Sequence, residues 1–276
     1  MDVTDGEVDR FTALSARKGK VMVSVGDSFT EGMCDDTRPD GSFRGWADRV
    51  AERLAADDPR LRYANLAVRG KLIGQIERDQ IPLAAAMDAD LITLAGGLND
   101  VLRPRCDMKA VEASVRSCVE QLATAKATVV LFRPTDPRRR MRGSQRLMPA
   151  VNRLIELVDA YGESHGAVVV DLFTARVFDD PRMWAEDRLH FSPEGHRRVA
   201  EAVVQALGAE PGFDWRAELP PARPEPWLQA RRQDLRWIRI YLLPWIGRRI
   251  TGKSSGDGRA AKRPEPTPVA VEPSQA

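Results

Sequence analysis

The sequence predicts an α/β protein whose parallel sheet is covered by helices on both faces. Short apolar runs rich in β-branched residues alternate along the chain with longer segments of helical periodicity. Several of these runs end abruptly in glycine and polar residues. Buried strands of a parallel sheet end in this way, and their carboxyl ends form the edge at which such sheets bind ligands.

Each element follows from its own local pattern. Trp46, Val50 and Leu54 share one face of the first long helix, and Pro82 breaks or kinks the second. Ser192 caps the last helix of the sheet domain, and Pro193 occupies its first turn. The predicted strands are 20–25, 61–66, 91–95, 128–132 and 168–172, and the predicted helices are 45–56, 71–87, 108–125, 144–165 and 193–207.

Composition divides the chain into five segments. Residues 1–18 are polar and form an expected loose lead-in, followed by the sheet domain at 19–210. Residues 211–226 are rich in proline and predict a linker. Residues 227–253 form a basic, amphipathic segment of tryptophan, leucine, isoleucine and arginine. The tail at 254–276 is rich in Pro, Gly and Ser and is expected to be disordered.

Overall composition narrows the class of protein. The 276 residues are 43% hydrophobic and 30% charged, as in globular proteins, and the net charge of +2 gives no reason to expect nucleic-acid binding. Cys34, Cys106 and Cys118 lack metal-ligand spacing, and their odd number argues against a disulfide framework. The sequence shows neither a secretion signal nor an apolar run long enough to span a bilayer. These features predict a cytoplasmic protein.

The first strand carries the most informative motif. Its apolar run ends at Gly26, Asp27 and Ser28, which places a serine hydroxyl at the carboxyl end of a buried strand. A serine nucleophile needs a base, and the chain has three histidines. His190 follows Asp187 by three residues, so the carboxylate can reach the second ring nitrogen from the same loop. His165 and His196 lie on helices and are expected to pack or face solvent.

Two further strand ends offer donors for an oxyanion. Gly70 follows the second strand, and a glycine there lets the backbone N–H approach a substrate oxygen. Asn99 follows the third strand and carries a neutral donor. Each also has a simpler interpretation, Gly70 as a turn residue and Asn99 as a helix cap. The two residues nevertheless belong to the same predicted sheet edge as Ser28.

Together these blocks resemble the SGNH (GDSL-type) hydrolases. The resemblance covers about residues 20–207 and rests on Gly26-Asp27-Ser28, Gly70, Gly97-Leu98-Asn99-Asp100 and Asp187-Arg188-Leu189-His190. It implies a flavodoxin-like three-layer α/β/α sandwich with a parallel five-stranded sheet. It also implies Ser28 as nucleophile, His190 as base and Asp187 as its orienter. The implied oxyanion hole consists of the Ser28 and Gly70 N–H groups and the Asn99 side chain.

The expected reaction is hydrolysis of an O-acyl ester by an esterase or lipase-type enzyme that needs neither a metal nor a cofactor. An acyltransferase or a carbohydrate O-deacetylase would use the same residues, and a non-catalytic binding module is the remaining alternative. The substrate is expected to be a small-molecule or lipid ester. Asp27, beside Ser28, is a candidate substrate-binding residue. Four arginines in the loop after the fourth strand are further candidates, because they would recognise an anionic substrate: Arg133, Arg138, Arg139 and Arg140. The alternative is that this loop is solvated charged surface.

The segment 227–253 allows two interpretations. Its apolar residues can lie in a membrane interface while its arginines meet anionic head groups, which would make the protein peripheral at the inner membrane face. The alternative is a helix packed back onto the domain or against another subunit, with the arginines reaching solvent. Pro244 is expected to divide the segment into two short helical pieces.

Overall fold

A computed structural model describes residues 20–270, apart from 104, 142, 223–225 and 252. The predicted lead-in at 1–18 and the last residues, 271–276, therefore lie outside the described part of the chain.

A single twisted sheet forms the centre of the fold, with strand order β5-β4-β3-β1-β2-β6. The first five strands are parallel, as the sequence predicts, and β6 pairs antiparallel with β2. The carboxyl ends of β1 to β5 therefore meet at one edge. The strands are β1 Val21–Gly26, β2 Arg62–Asn65, β3 Leu91–Ala95, β4 Thr128–Arg133, β5 Val168–Asp171 and β6 Arg263–Pro268.

Helices connect the parallel strands and follow the predicted segments closely. The predicted helix at 71–87 is two helices, of which the second has Pro82 in its first turn, where a missing N–H costs nothing. The helices are α1 Ser28–Glu31, α2 Gly45–Asp57, α3 Ile73–Asp79, α4 Ile81–Ala85, α5 Leu98–Val101, α6 Met108–Ala123, α7 Met148–His165, α8 Pro193–Ala206, α9 Trp227–Trp237 and α10 Leu243–Ile250. Short 3-10 turns occupy Ser144–Arg146, Arg176–Asp179 and Pro181–Met183.

Two separate hydrophobic clusters cover the two faces of the sheet. Trp46 and Val50 of α2 pack with Val199 of α8 on one face. Ile76 of α3 and Leu122 of α6 belong to the cluster on the other face. This arrangement is the three-layer α/β/α sandwich that the sequence predicts.

The C-terminal tail differs from its prediction. Disorder was expected over 254–276, but Arg263–Pro268 adds a sixth, antiparallel strand to the predicted five-stranded sheet. The side chain amine of Lys262 is buried beneath it and donates to Asp48 and to backbone carbonyls, including that of Glu31. Prolines in this strand alternate with residues that keep an N–H, and an edge strand needs only every second N–H. The prediction of disorder, which rested on composition alone, is therefore wrong for Arg263–Pro268.

The region before this strand is also ordered against the domain. Trp215, in the predicted linker at 211–226, is buried, and Arg198 of α8 donates to its carbonyl. Helices α9 and α10 are joined by a π-helical turn at Ile238–Leu242. Pro244 lies in the first turn of α10, so the segment consists of two short helices that are divided just before this proline, as expected.

Candidate active site

Ser28 begins the short helix α1 directly after β1. Gly26 makes this exit possible, because a Cβ at this position would lie only 2.5 Å from the Ala95 carbonyl oxygen of β3. Asp27 caps α1 by accepting the Phe29 N–H at 3.0 Å. The serine is thereby held at the carboxyl edge of the sheet, beside the loops that follow the other strands.

Ser28, His190 and Asp187 form a continuous chain of polar contacts. The Nε2 atom of His190 lies 2.9 Å from the Ser28 hydroxyl oxygen. Its Nδ1 atom lies 2.5 Å from Oδ2 of Asp187. An ionised carboxylate can only accept a hydrogen bond, so Nδ1 carries the proton and Nε2 presents its lone pair to the serine. This tautomer can accept the serine proton.

The loop that carries Asp187 and His190 is fixed by its own backbone. The second carboxylate oxygen of Asp187 accepts the N–H groups of Leu189 and His190 at 2.9 and 3.0 Å. Arg188 adopts a left-handed conformation, with φ of 58°, to close this turn. Burial opposes ionisation of Asp187, but the hydrogen bonds from His190 hold its pKa below the usual value. The three-residue spacing thus orients both side chains.

Cys34 also contacts this carboxylate, which its position in the sequence does not indicate. Its thiol donates to Oδ2 of Asp187 at 3.8 Å. Burial, together with the charge of Asp187, raises the pKa of Cys34 to about 12. Cys34, Asp187 and His190 lie close enough to surround a metal ion. However, the thiol is held protonated and the other two groups bond to each other, which makes a poor metal site.

Asn99 is hydrogen-bonded to Asp27, the residue that precedes Ser28. The Asn99 side-chain amide donates to Oδ2 of Asp27 at 2.9 Å and to the Lys71 carbonyl at 3.2 Å. Burial raises the pKa of Asp27 to about 6, even though its bonds to Phe29 and Asn99 oppose the shift. Asp27, predicted to bind substrate, therefore has both carboxylate oxygens engaged within the protein, where they orient α1 and Asn99.

Gly70 follows β2 in a tight turn that the C-terminal segment covers. A Cβ at Gly70 would lie 2.1 Å from the Ser254 hydroxyl oxygen, and one at Gly256 would lie 2.0 Å from the Arg69 carbonyl oxygen. Both glycines are therefore needed for this close approach. The N–H groups of Ser28 and Gly70 donate to no acceptor among the residues that the structure describes. Ser28 lines the cavity described below, whereas Gly70 is not among its lining residues, so the place of Gly70 in an oxyanion hole stays a prediction.

A cavity of about 170 Å³ extends from Ser28, Asn99 and His190 into the protein. Buried residues of β3, β4, α6 and α7 line its interior, so its walls are largely apolar. Aromatic side chains of Phe29, Phe132, Trp184 and Phe191 line the part near the triad. The inner lining includes Leu94, Val115, Leu131, Val151, Leu154 and Val158.

The four predicted substrate-binding arginines have different environments. Arg133 pairs with Asp159 at 2.7 Å, Arg138 with Asp136 at 2.6 Å and Arg139 with Asp179 at 3.5 Å, so nearby carboxylates balance their charges.

Arg140 is the member of this group that lines the cavity. It stacks on Trp184 at 3.5 Å and donates to the Arg188 carbonyl at 2.6 Å. Its Nε atom is buried without a partner among the described residues. Burial lowers the pKa of Arg140 to about 10, partly offset by the charge of Asp187.

The other two histidines occupy the expected settings. His165 ends α7 in an exposed position, 2.8 Å from the Ser164 hydroxyl. His196 is buried on α8, where its Nδ1 accepts the Trp46 N–H and its Nε2 lies 3.1 Å from the Met33 carbonyl. Burial lowers the pKa of His196 to about 4 and keeps the ring neutral.

Comparisons with known proteins agree with this geometry. The profile of the GDSL-like Lipase/Acylhydrolase family matches residues 24–198. An acetylxylan esterase from Geobacillus stearothermophilus is 27% identical over 227 residues, which cover 71% of this chain and 96% of that protein. A crystal structure of Axe2, an acetylxylan esterase from Geobacillus stearothermophilus, aligns with a TM-score of 0.56 at 23% identity, over 72% of this chain and 96% of that one.

LAE5, an alpha/beta hydrolase enzyme from the metagenome of Lake Arreo, Spain, aligns with a TM-score of 0.57 at 22% identity. That alignment covers 69% of this chain and 96% of the other. These structural similarities support the α/β fold.

Proposed function

The chain belongs to the GDSL-like lipase/acylhydrolase family and is an ester-hydrolysing enzyme, and from that premise we propose that Ser28, His190 and Asp187 perform the hydrolysis. The observation that carries this proposal is the contact of 2.9 Å between the Ser28 hydroxyl and the His190 ring. The Asp187 carboxylate on the opposite ring nitrogen, at 2.5 Å, fixes the tautomer that the reaction needs.

The reaction follows from these positions. The Ser28 oxygen attacks the ester carbonyl carbon while Nε2 of His190 takes the hydroxyl proton. The carbonyl oxygen becomes an oxyanion, which the N–H groups of Ser28 and Gly70 and the Asn99 amide stabilise. The protonated His190 gives its proton to the leaving alcohol. Water, deprotonated by His190, then releases the acyl group as a carboxylic acid and restores Ser28.

The role of Asn99 requires a change of partner. Its amide donates to Asp27 and to the Lys71 carbonyl. The bond to the neutral Lys71 carbonyl is exchanged for one to the oxyanion, whose charge makes the new bond stronger than the one it replaces. The bond to Asp27, the residue next to Ser28, holds the amide in place during that exchange.

A relative supports the same set of residue types. Catalytic mutants of the acetylxylan esterase Axe2 replace a serine, an aspartate and a histidine. In that protein too, the histidine lies three positions after the aspartate. Asp187 and His190 have this spacing.

The apolar cavity favours an ester with an extended acyl chain. It begins at Ser28 and is lined farther in by Leu131, Val151 and Leu154, which bind hydrocarbon without polar groups to satisfy. Burying an acyl chain there contributes about 0.8 kcal/mol for each methylene removed from water. Arg140 is the candidate contact for an anionic group at the cavity, since its neighbours Arg138 and Arg139 are paired.

The second candidate function is removal of acetyl groups from a carbohydrate. Similarity to the acetylxylan esterase from Geobacillus stearothermophilus favours it. An acyltransferase would use the same residues with an alcohol in place of water, and analysis of products with added alcohol separates that reaction from hydrolysis.

A series of p-nitrophenyl esters from acetyl to decanoyl, run beside acetylated xylo-oligosaccharides, tests the substrate class. We expect kcat/KM to rise with chain length in the parent enzyme. Leu154→Trp fills the cavity and should remove that rise while sparing the acetyl ester, whereas Leu83→Trp, at an exposed position on α4, serves as the control. Highest activity on the acetylated sugars, unaffected by Leu154→Trp, would favour the deacetylase.

The base is tested with the acetyl ester alone. His190→Ala should abolish turnover, and His165→Ala should leave it unchanged because His165 is exposed at the end of α7. Equal activity in the two variants would contradict the proposed triad.

A further inference from the structure

A helical segment lies on the loop that carries Asp187 and His190. This segment, residues 227–250, consists of α9, the π-helical turn and α10, and it lies beyond the residues that the family profile matches. Trp237 donates its indole N–H to the Asp187 carbonyl at 2.8 Å. Asp234 pairs with Arg188 at 2.9 Å, and the Tyr241 hydroxyl lies 3.2 Å from the Glu186 carboxylate. One face of the C-terminal helical segment is thus fixed to the catalytic loop.

The opposite face exposes large apolar side chains. Of the nine large hydrophobic residues that are exposed in the described part of the chain, seven belong to the C-terminal helical segment. Leu228, Leu235 and Leu243 are each more than half exposed, at 65%, 67% and 58%. Isolated exposed leucines are ordinary, but a concentration of them on one element indicates a binding surface.

Arginines are interleaved with these leucines. Arg232, Arg236 and Arg239 are exposed on the same segment. Asp234 is the one acidic residue between 227 and 253, and it is paired with Arg188 and Arg231. The exposed face therefore carries positive charge and apolar area together, without acidic groups to offset the charge.

We propose that the C-terminal helical segment binds an anionic lipid surface through this exposed face. Leucine side chains enter the boundary between head groups and acyl chains, and the guanidinium groups remain at the level of anionic head groups. A soluble partner of mixed charge would leave several arginines unmatched, whereas an anionic bilayer offers every one of them a counter-charge. In the part of the chain that the structure describes, no helix is long and apolar enough to cross a membrane.

The position of the segment relates this surface to the active site. The Arg188 side chain pairs with Asp234 of the segment. The Arg188 carbonyl accepts a hydrogen bond from Arg140, which lines the cavity. Arg188 is therefore the single residue between the C-terminal helical segment and the cavity-lining Arg140. This consequence rests on the proposed function, and it makes a lipid ester the substrate that the bound enzyme would meet first.

Co-sedimentation of the full chain with vesicles tests the proposal. At low salt we expect binding to vesicles of phosphatidylcholine with phosphatidylglycerol and much weaker binding to phosphatidylcholine alone. Arg232→Glu/Arg236→Glu/Arg239→Glu should weaken binding at least about tenfold. Leu228→Ser/Leu235→Ser/Leu243→Ser should do the same, since these changes remove the inserted apolar groups.

Matched controls separate this role from a general loss of charge or folding. Arg53→Glu/Arg116→Glu and Leu83→Ser change exposed residues of the domain and should leave binding at the parental level. Ser28→Ala should also bind like the parent, so a failure of the proposed chemistry would not mimic a failure here. Circular dichroism should be the same for all of these variants.

Three results would overturn the proposal. The parent protein ignores the anionic vesicles at low salt, or the arginine and leucine variants bind as tightly as the controls. The third is that the leucine variant converts a dimer into a monomer without changing vesicle binding, which would make this face a subunit contact.

Discussion

The indole N–H of Trp237 donates to the backbone carbonyl of Asp187, with 2.8 Å between nitrogen and oxygen. The bond joins a residue from the far end of the chain to the carboxylate that orients the proposed base. The surrounding contacts of Asp234 with Arg188 and of Tyr241 with Glu186 place the whole loop under the C-terminal helical segment. The loop that carries Asp187 and His190 is therefore held by residues outside the stretch that the family profile matches.

Trp237→Phe removes this hydrogen bond and keeps an aromatic ring. Because Trp237 acts through Asp187 as a positioning residue, we expect kcat to fall by about two- to tenfold while KM stays unchanged. Trp227→Phe is the matched control, since Trp227 is 69% exposed. Steady-state kinetics on a short p-nitrophenyl ester decide the question, and equal kcat values in the two variants would exclude a positioning role.

Asn99→Ala tests the oxyanion hole. The oxyanion exists mainly in the transition state, so we expect kcat to fall by roughly 10²- to 10³-fold with little change in KM. The same substitution leaves Asp27 without its amide partner, so the melting temperature is measured alongside. An effect confined to KM would show that Asn99 binds the substrate in its ground state.

His196 predicts a pH dependence of folding. Burial lowers its pKa from 6.5 to about 4, so between these values the unfolded chain binds a proton that the folded protein does not. The neutral ring therefore contributes stability above pH 6.5 that is lost as the pH falls toward 4, amounting to about 3 kcal/mol.

His196→Gln should lack this part of the pH dependence. Asp27 and Asp48 have raised pKa values and act in the opposite direction, but they are common to both proteins and cancel in the difference. Urea unfolding of the parent and His196→Gln at pH 7 and pH 4 measures the difference between their free energies of unfolding. A constant stability difference between the two proteins across this range would contradict the assignment.

Much of the fold could be predicted because its signals are local. The apolar runs identified the five parallel strands and the periodicity identified the longer helices of the sheet domain, and strand β3 at Leu91–Ala95 has its predicted bounds. Ser28, Asn99 and the pair Asp187/His190 were expected at one edge because parallel strands all end there. The structure places these side chains together as expected, and the catalytic role of each remains a proposal.

The C-terminal residues could not be predicted because their partners are distant in sequence. The Lys262 side chain is largely buried because Asp48 and backbone carbonyls, including that of Glu31, accept hydrogen bonds from its ammonium group. Strand β6 has a composition typical of disorder, and it is ordered by pairing with β2. Cys34 gave no signal either, since its contact with Asp187 joins residues 153 positions apart.

The central claim is that Ser28 is the nucleophile of an ester hydrolase. Its most direct test is kcat/KM for a p-nitrophenyl ester with Ser28→Ala beside the parent enzyme, after circular dichroism has shown both to be folded. Because the members of a triad act as a unit, we expect a loss of about 10⁴-fold or more. The variant would then retain about one hundredth of a percent of the parental activity. Activity within about tenfold of the parent would contradict the assignment of Ser28 as the nucleophile.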